Sequence, residues 1–153
     1  SEDNIRHNIA WPYTMLGSDE ASAAPEGVFL RSNSHPRAYG NFARFLARYV
    51  RDEHVITLPD AIRRLTDLPA RQMHLRQRGR LAPGYAADVV VFDPATIQDH
   101  ATFDRPAQYA TGVTHVLVNG AFVLRNGEHT NARPGEVVRG PGWTGWAQTA
   151  AHP

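Results

Sequence analysis

Trp11-Pro12-Tyr13-Thr14-Met15-Leu16-Gly17-Ser18-Asp19 is a short apolar run that ends at a glycine and then presents a carboxylate. It reads as a buried strand over Trp11–Gly17 whose C-terminal tip carries an acid. In a parallel α/β barrel, that tip is where chemistry takes place. Further on, His35-Pro36-Arg37 places an obligate cation beside a proline-stiffened turn. A carboxylate and a guanidinium displayed on one loop suit a reaction on a small anionic substrate.

The flanks of this strand read as helices. Ser1-Glu2-Asp3 has the form of a helix start, with Ser1 as N-cap and acids in the first turn. Ile5 and Ile9 give that short helix one apolar side. Ser18 to Ser34 is a long loop, small and polar except for Val28, Phe29 and Leu30; a loop of this length is either functional or a surface excursion. A helix begins at Ala38. Phe42, Phe45, Leu46, Tyr49 and Val50 form its apolar stripe, leaving Arg44, Arg48, Arg51 and Asp52 largely off it. Arg44 and Arg48 are therefore expected to be solvated helix residues. Thr57 and Asp60 form a T-x-x-D cap for the next helix, lined inside by Leu58, Ala61, Ile62 and Leu65. Pro69 suits the first turn of a third short helix that ends before Gly79.

The composition changes after Gly79. Ala87-Asp88-Val89-Val90-Val91-Phe92-Asp93-Pro94 is a β-branched strand stopped by Asp-Pro. Val113–Asn119 and Ala121–Arg125 flank Asn119-Gly120, a two-residue hairpin signal, and Asn126-Gly127 marks a further turn. Asp88 and Asp93 read as strand-end residues. Three regions result: 1–78, strand, loop and helices; 79–140, strands of a small β-domain; and 141–153, a Gly/Pro-rich tail. Trp143 and Trp146 in this last stretch either pack on a partner surface or stand in solvent.

At 153 residues the chain can bury one ordinary core or two small ones. Its 16 basic and 15 acidic residues leave a net charge of +1, with no basic face or tail suited to nucleic acid or an anionic membrane. No apolar run approaches the roughly 18 residues needed to span a bilayer. No secretory segment is visible, and a cytoplasmic location is expected. Cysteine is absent, which excludes disulfides and thiolate metal sites. None of the eight histidines lies two, three or four residues from another, so neither H-x-H nor H-x-x-x-H occurs. A complete zinc site from this chain alone is not expected.

Local sequence leaves the candidate residues with two readings each. Asp19 is suited to general acid/base work, moving a proton between an attacking water and a leaving amine; a loop-capping aspartate has the same local signature. Arg37 can grip a substrate carboxylate or pair with a nearby acid. His35, held extended by Pro36, either lines the pocket or faces solvent.

Three segments together resemble the amidohydrolase superfamily, and within it the N-acyl-D-amino-acid deacylases (D-aminoacylases). Gly17-Ser18-Asp19 resembles the strand-eight aspartate motif. His35-Pro36-Arg37-Ala38-Tyr39-Gly40, with Asn41-Phe42, resembles the deacylase segment that follows it. Arg78-Gly79-Arg80-Leu81-Ala82-Pro83-Gly84-Tyr85-Ala86-Ala87-Asp88-Val89-Val90-Val91-Phe92, with Val116-Leu117-Val118-Asn119-Gly120, resembles the small β-domain beside the barrel. The last pattern is specific for the superfamily; HPRAYG points to the deacylases. Glu20 stands where glycine is common, and the loop to His35 is long.

The resemblance implies an α/β fold: the last strand and helices of a (β/α)8 barrel, plus strands of a small β-sandwich domain. It implies the C-terminal part of a zinc-dependent hydrolase that splits N-acyl-D-amino acids into a carboxylate and a free D-amino acid. The family's metal ligands come mainly from earlier strands, so the implied Zn2+ would be held outside this chain, with Asp19 the one candidate ligand here. The implied roles are Asp19 as acid/base, Arg37 on the substrate carboxylate, and Ser18 and His35 lining the substrate site. The implied partners are the small-molecule N-acyl amino acid and the N-terminal remainder of the enzyme. Two other readings are a cyclic-amide hydrolase of the dihydroorotase or hydantoinase kind, disfavoured by HPR, and a non-catalytic β-domain serving assembly.

Overall fold

The computed structural model describes residues 1–21, 23–32 and 34–144; Trp146 lies outside them. Helix α1 spans Glu2–Ala10. Ser1 caps it as expected, its hydroxyl accepting the Asn4 N–H at 3.5 Å. Ile9 is buried, whereas Ile5 remains exposed, so only half of the expected apolar side is used.

The expected strand at Trp11–Gly17 does not form. Pro12 instead occupies a turn closed by the Thr14 N–H on the Trp11 carbonyl at 3.2 Å, and Thr14–Asp19 join no ladder. The cause is partnership: a strand needs a neighbour, and the nearest strand-forming sequence, beyond residue 87, pairs within itself. Within the Ser18–Ser34 loop, Gly27–Arg31 winds into a single 3-10 helix.

Helix α2, Arg37–Arg44, runs without a break into a π-helical segment, Phe45–Asp52. The Glu53 N–H bonds the Arg48 carbonyl at 2.8 Å, the i→i−5 pattern of that winding. Phe45, Leu46, Tyr49 and Val50 are buried as the stripe requires, but Phe42 is exposed. The stripe assumes 3.6 residues per turn throughout; burial instead gathers on Phe45, Leu46, Ala47, Tyr49 and Val50 in the looser winding, and Phe42, in α2 before it, is left outside. Arg44 and Arg48 are also not merely solvated. Glu2 accepts from both, at 3.3 and 3.2 Å, and Glu53 accepts from Arg48 at 2.7 Å and from Arg6 at 2.8 Å. Helical periodicity shows which side is apolar; it does not show which acids return from another helix.

Helix α3 is Leu58–Leu65, capped by the Thr57 hydroxyl, which accepts the Asp60 N–H at 3.4 Å. Ala61 is fully buried. Helix α4, Asp67–Gln72, carries Pro69 in its first turn, and the chain leaves it through Gly79 at φ +81°. A side chain at Gly79 would meet the Thr66 carbonyl oxygen at 2.8 Å.

The β-branched runs form one antiparallel sheet in sequence order: β1 (Val89–Phe92), β2 (Val113–Val118), β3 (Ala121–Arg125) and β4 (Glu128–His129). Asn119 and Gly120 take φ of 48° and 82°, the left-handed pair a tight hairpin requires. Asp88 and Asp93 do act at strand ends: Asp88 accepts the Asn119 N–H at 2.8 Å, and Asp93 accepts the Ala95 N–H at 2.9 Å.

Helices and sheet share one core. Ile9, Ala43, Phe45, Leu46, Tyr49, Val50, Ala61 and Ile97 form its buried part, and Phe92 and Val113 pack against it. Gly112, at φ +93°, allows this contact, because a Cβ there would lie 2.4 Å from the Ile97 Cα.

Candidate active site

The unpaired segment and the N-terminus of α2 converge. Asp19 follows Gly17-Ser18 at φ +51° with its side chain 89% exposed. Arg37 opens α2 and turns back onto it. Its Nη2 lies 3.1 Å from Asp19 Oδ2 and donates to the Asp19 backbone oxygen at 2.7 Å, while Nε lies 3.5 Å from Glu20 Oε2. That Nε is itself buried and has no hydrogen-bond partner. One turn further along α2, Asn41 donates through Nδ2 to the Gly17 carbonyl at 3.3 Å. Side chains four apart on one helix face therefore hold the Gly17–Asp19 turn from the same side.

Of the four candidates, Asp19, Ser18 and Arg37 come together, Ser18 half-buried within the turn. His35 sits beside Arg37 but is directed elsewhere. Its Nδ1 accepts the Arg37 N–H at 3.1 Å, and its ring stands edge-on to Phe103 at 5.1 Å. His35 and Arg37 border a cavity of about 600 Å³ whose far wall is Asp99, Thr102 and Phe103 from the β-domain side. Gly40 brings α2 against that wall, since a side chain there would meet the Asp99 Cβ at 2.9 Å. Arg37 pairs with a nearby acid, the second of its two readings, and that acid is the candidate catalytic one.

Sequence reading missed the buried arginine. Arg64, only 3% exposed, donates through Nη1 to the carbonyls of Ile9 and Trp11, and Arg63 donates to that of Pro12 at 3.1 Å. Asp60 holds both guanidiniums, at 2.8 Å to Arg63 and 2.6 Å to Arg64. Burial raises the Asp60 pKa, but the bonds from Arg64 and Arg63 prevail and hold it below the usual range. The Asp60/Arg63/Arg64 spacing, i to i+3 and i+4, was the available signal.

A second network joins α1 to the π segment. The Arg6 and Arg48 guanidiniums on Glu53 hold its carboxyl down at about 2. Tyr49 donates to Glu2 at 2.9 Å; burial, then this bond, raises its phenol pKa.

Among the described residues no group of three or more His, Cys, Asp or Glu is arranged to hold a metal ion. Among the described residues Asp19 therefore belongs to no such group, and these residues do not make a zinc site by themselves. No helix among the described residues is long and apolar enough to cross a membrane.

Comparison with known proteins extends this picture. The sequence profile described as "Amidohydrolase family" matches residues 14–124. N-acyl-D-glutamate deacylase of Alcaligenes xylosoxydans xylosoxydans is 42% identical over 138 residues, 90% of this chain and 27% of that protein. Among solved structures, a D-aminoacylase superposes with a TM-score of 0.81 at 39% identity, over 90% of this chain and 28% of that one. An N-acyl-D-glutamate deacylase from Bordetella bronchiseptica, complexed with zinc and a phosphonate inhibitor that mimics the tetrahedral intermediate, gives 0.79 at 43% identity, over 91% of this chain and 28% of that one. The chain thus spans little more than a quarter of the relatives it matches.

Proposed function

This chain belongs to the amidohydrolase family, and from that premise we propose that it is the C-terminal part of a zinc-dependent N-acyl-D-amino-acid deacylase. The observation that carries the proposal is the Asp19–Arg37 pair, 3.1 Å apart and mounted on a turn and a helix start. In the whole enzyme Thr14–Gly17 becomes the eighth barrel strand, paired with strands from the N-terminal remainder, and the sheet of β1–β4 is part of a small β-sandwich. The exposed side chains of Trp11, Tyr13, Met15 and Phe42 support this reading, because they are the kind of surface another layer covers.

Residues of the remainder would hold the metal, which would supply an activated water and a polarised amide carbonyl. This chain supplies the proton carrier. Asp19 takes the proton from the attacking water and returns it to the departing amine, a role worth about 10²–10⁴-fold in rate. Arg37 binds the substrate α-carboxylate, a charge-assisted contact of about 1.5–3 kcal/mol. Its present partner is Asp19 itself, so the substrate carboxylate takes over a cation already held in the site. Ser18 and His35 complete the wall around the substrate. The relatives named above differ in amino-acid side chain, glutamate in one name and none in another, so membership alone leaves that preference open.

Comparing substrates tests the proposal. The full-length enzyme should hydrolyse an N-acyl-D-amino acid far faster than the matching amide lacking the α-carboxylate. Arg37→Ala should erase most of that difference by raising KM for the acid alone. No preference for the carboxylate in the wild type would remove the deacylase assignment and favour a cyclic amide.

A further inference from the structure

We infer that Arg64, held by Asp60, is a positioning residue for Asp19; the inference rests on the acid/base role proposed above. The last turn of a helix leaves carbonyls without intrahelical partners. At the end of α1 the Ile9 carbonyl, and those of Trp11 and Pro12 just beyond, are taken by side chains from a distant helix: Arg64 Nη1 holds Ile9 and Trp11, and Arg63 holds Pro12. Asp60 binds both guanidiniums from within the same helix, so the clamp is oriented before it meets α1. Arg64 is also the only charged or polar residue in the buried set of the described residues. A buried guanidinium is costly unless fully bonded, and every bond this one makes goes to the α1 exit or to Asp60.

The geometry gives the clamp a functional consequence. The chain leaves α1 at Trp11, turns at Pro12, and reaches Asp19 with no ladder of its own. Its far end is held from α2, by Asn41 on Gly17 and Arg37 on Asp19. In a strand each residue advances about 3.3 Å and alternates in face. With this segment extended as the barrel strand proposed above, a one-residue slip at the exit of α1 would move the Asp19 carboxylate by about that distance and turn it to the other face. Catalytic groups tolerate about 0.5 Å. The Arg64 bonds fix where that count of residues starts.

The test is a cycle of variants in the full-length enzyme: Arg64→Met, Arg64→Lys, Asp19→Asn, and the two doubles, with active-site concentration measured for each. Arg64→Met should lower kcat about 10–100-fold with KM changed less than about threefold, since misplacement rather than lost binding is the defect. Arg64→Lys, which keeps the charge and one donor nitrogen but loses the guanidinium fork, should recover part of that loss. In Asp19→Asn there is no base left to misplace, so adding Arg64→Met should lower the residual kcat less than about twofold. An equal fold loss on the wild-type and Asp19→Asn backgrounds would overturn the inference and leave Arg64 a scaffold residue. So would wild-type kcat in Arg64→Met. If Asp19→Asn alone retained full kcat, the acid/base reading would be the one to fail. Should Arg64→Met not fold, Asp60→Asn, which loosens the guanidinium without removing it, replaces it: a several-fold kcat loss that vanishes on the Asp19→Asn background supports the clamp, and an unchanged kcat overturns it.

Discussion

Asp19 and Arg37 are the residues on which the proposed function turns, and their energetics are those of an exposed pair. With side chains 89% and 40% exposed, the ion pair contributes at most about 1 kcal/mol to stability. Arg37→Ala should therefore leave the melting temperature unchanged while it raises KM for the α-carboxylate substrate, and thermal melts beside the kinetics check this. A substantial fall in melting temperature would make Arg37 a structural residue instead. Both residues were legible in the sequence, because glycine before an acid and proline before an arginine are local signals. Their mutual contact was not, since it joins the two ends of a long loop. Arg64 carried a local signal in its spacing from Asp60, but its burial was hidden for the same reason: its other partners are backbone carbonyls more than fifty residues earlier.

Elements divide by whether their partners are local. The hairpin at Asn119-Gly120, the caps at Ser1 and Thr57, and the strand end at Asp93 formed as the sequence indicated, each fixed by residues a few positions apart, whereas the strand end at Asp88 formed through the β1–β2 pairing that brings Asn119 to it. The run at Trp11–Gly17 did not become a strand, because the strands of the described residues pair among themselves. The π-helical winding of Phe45–Asp52 was also hidden: an i→i−5 ladder leaves nearly the same apolar pattern as an α-helix. What pins that segment to α1 is the Glu53 carboxylate between Arg6 and Arg48. Its folded-state pKa, about 2, lies below the ordinary value of 4.5, so its contribution to stability is complete above about 4.5 and is lost as pH falls towards 2. Melting temperature should fall through that window in the wild type. Glu53→Gln should start lower at neutral pH and lose less on acidification, a difference read from melts at stepped pH. Parallel curves for the two proteins would show that Glu53 carries none of the acid sensitivity.

At the scale of the molecule, helices and sheet are built around one shared core, yet the chemistry they serve is incomplete. The described residues present an acid, a cation and an adjoining cavity, without a metal-binding cluster. The isolated chain should therefore retain no stoichiometric zinc after dialysis and turn over no N-acyl-D-amino acid, as elemental analysis and an amine-release assay can determine. Retained zinc together with turnover would contradict that division of labour between the chain and its N-terminal remainder. The central claim is that Asp19 carries the proton in the hydrolysis of an N-acyl-D-amino acid, and it is tested most directly in the full-length enzyme. The measurement is kcat and KM for such a substrate, wild type against Asp19→Asn, at matched zinc content and melting temperature. The account predicts release of the free D-amino acid by the wild type and a loss of about 10²–10⁴-fold in kcat for the variant, with KM little changed. An undiminished kcat in Asp19→Asn, or a wild type that cleaves only cyclic amides, would contradict it.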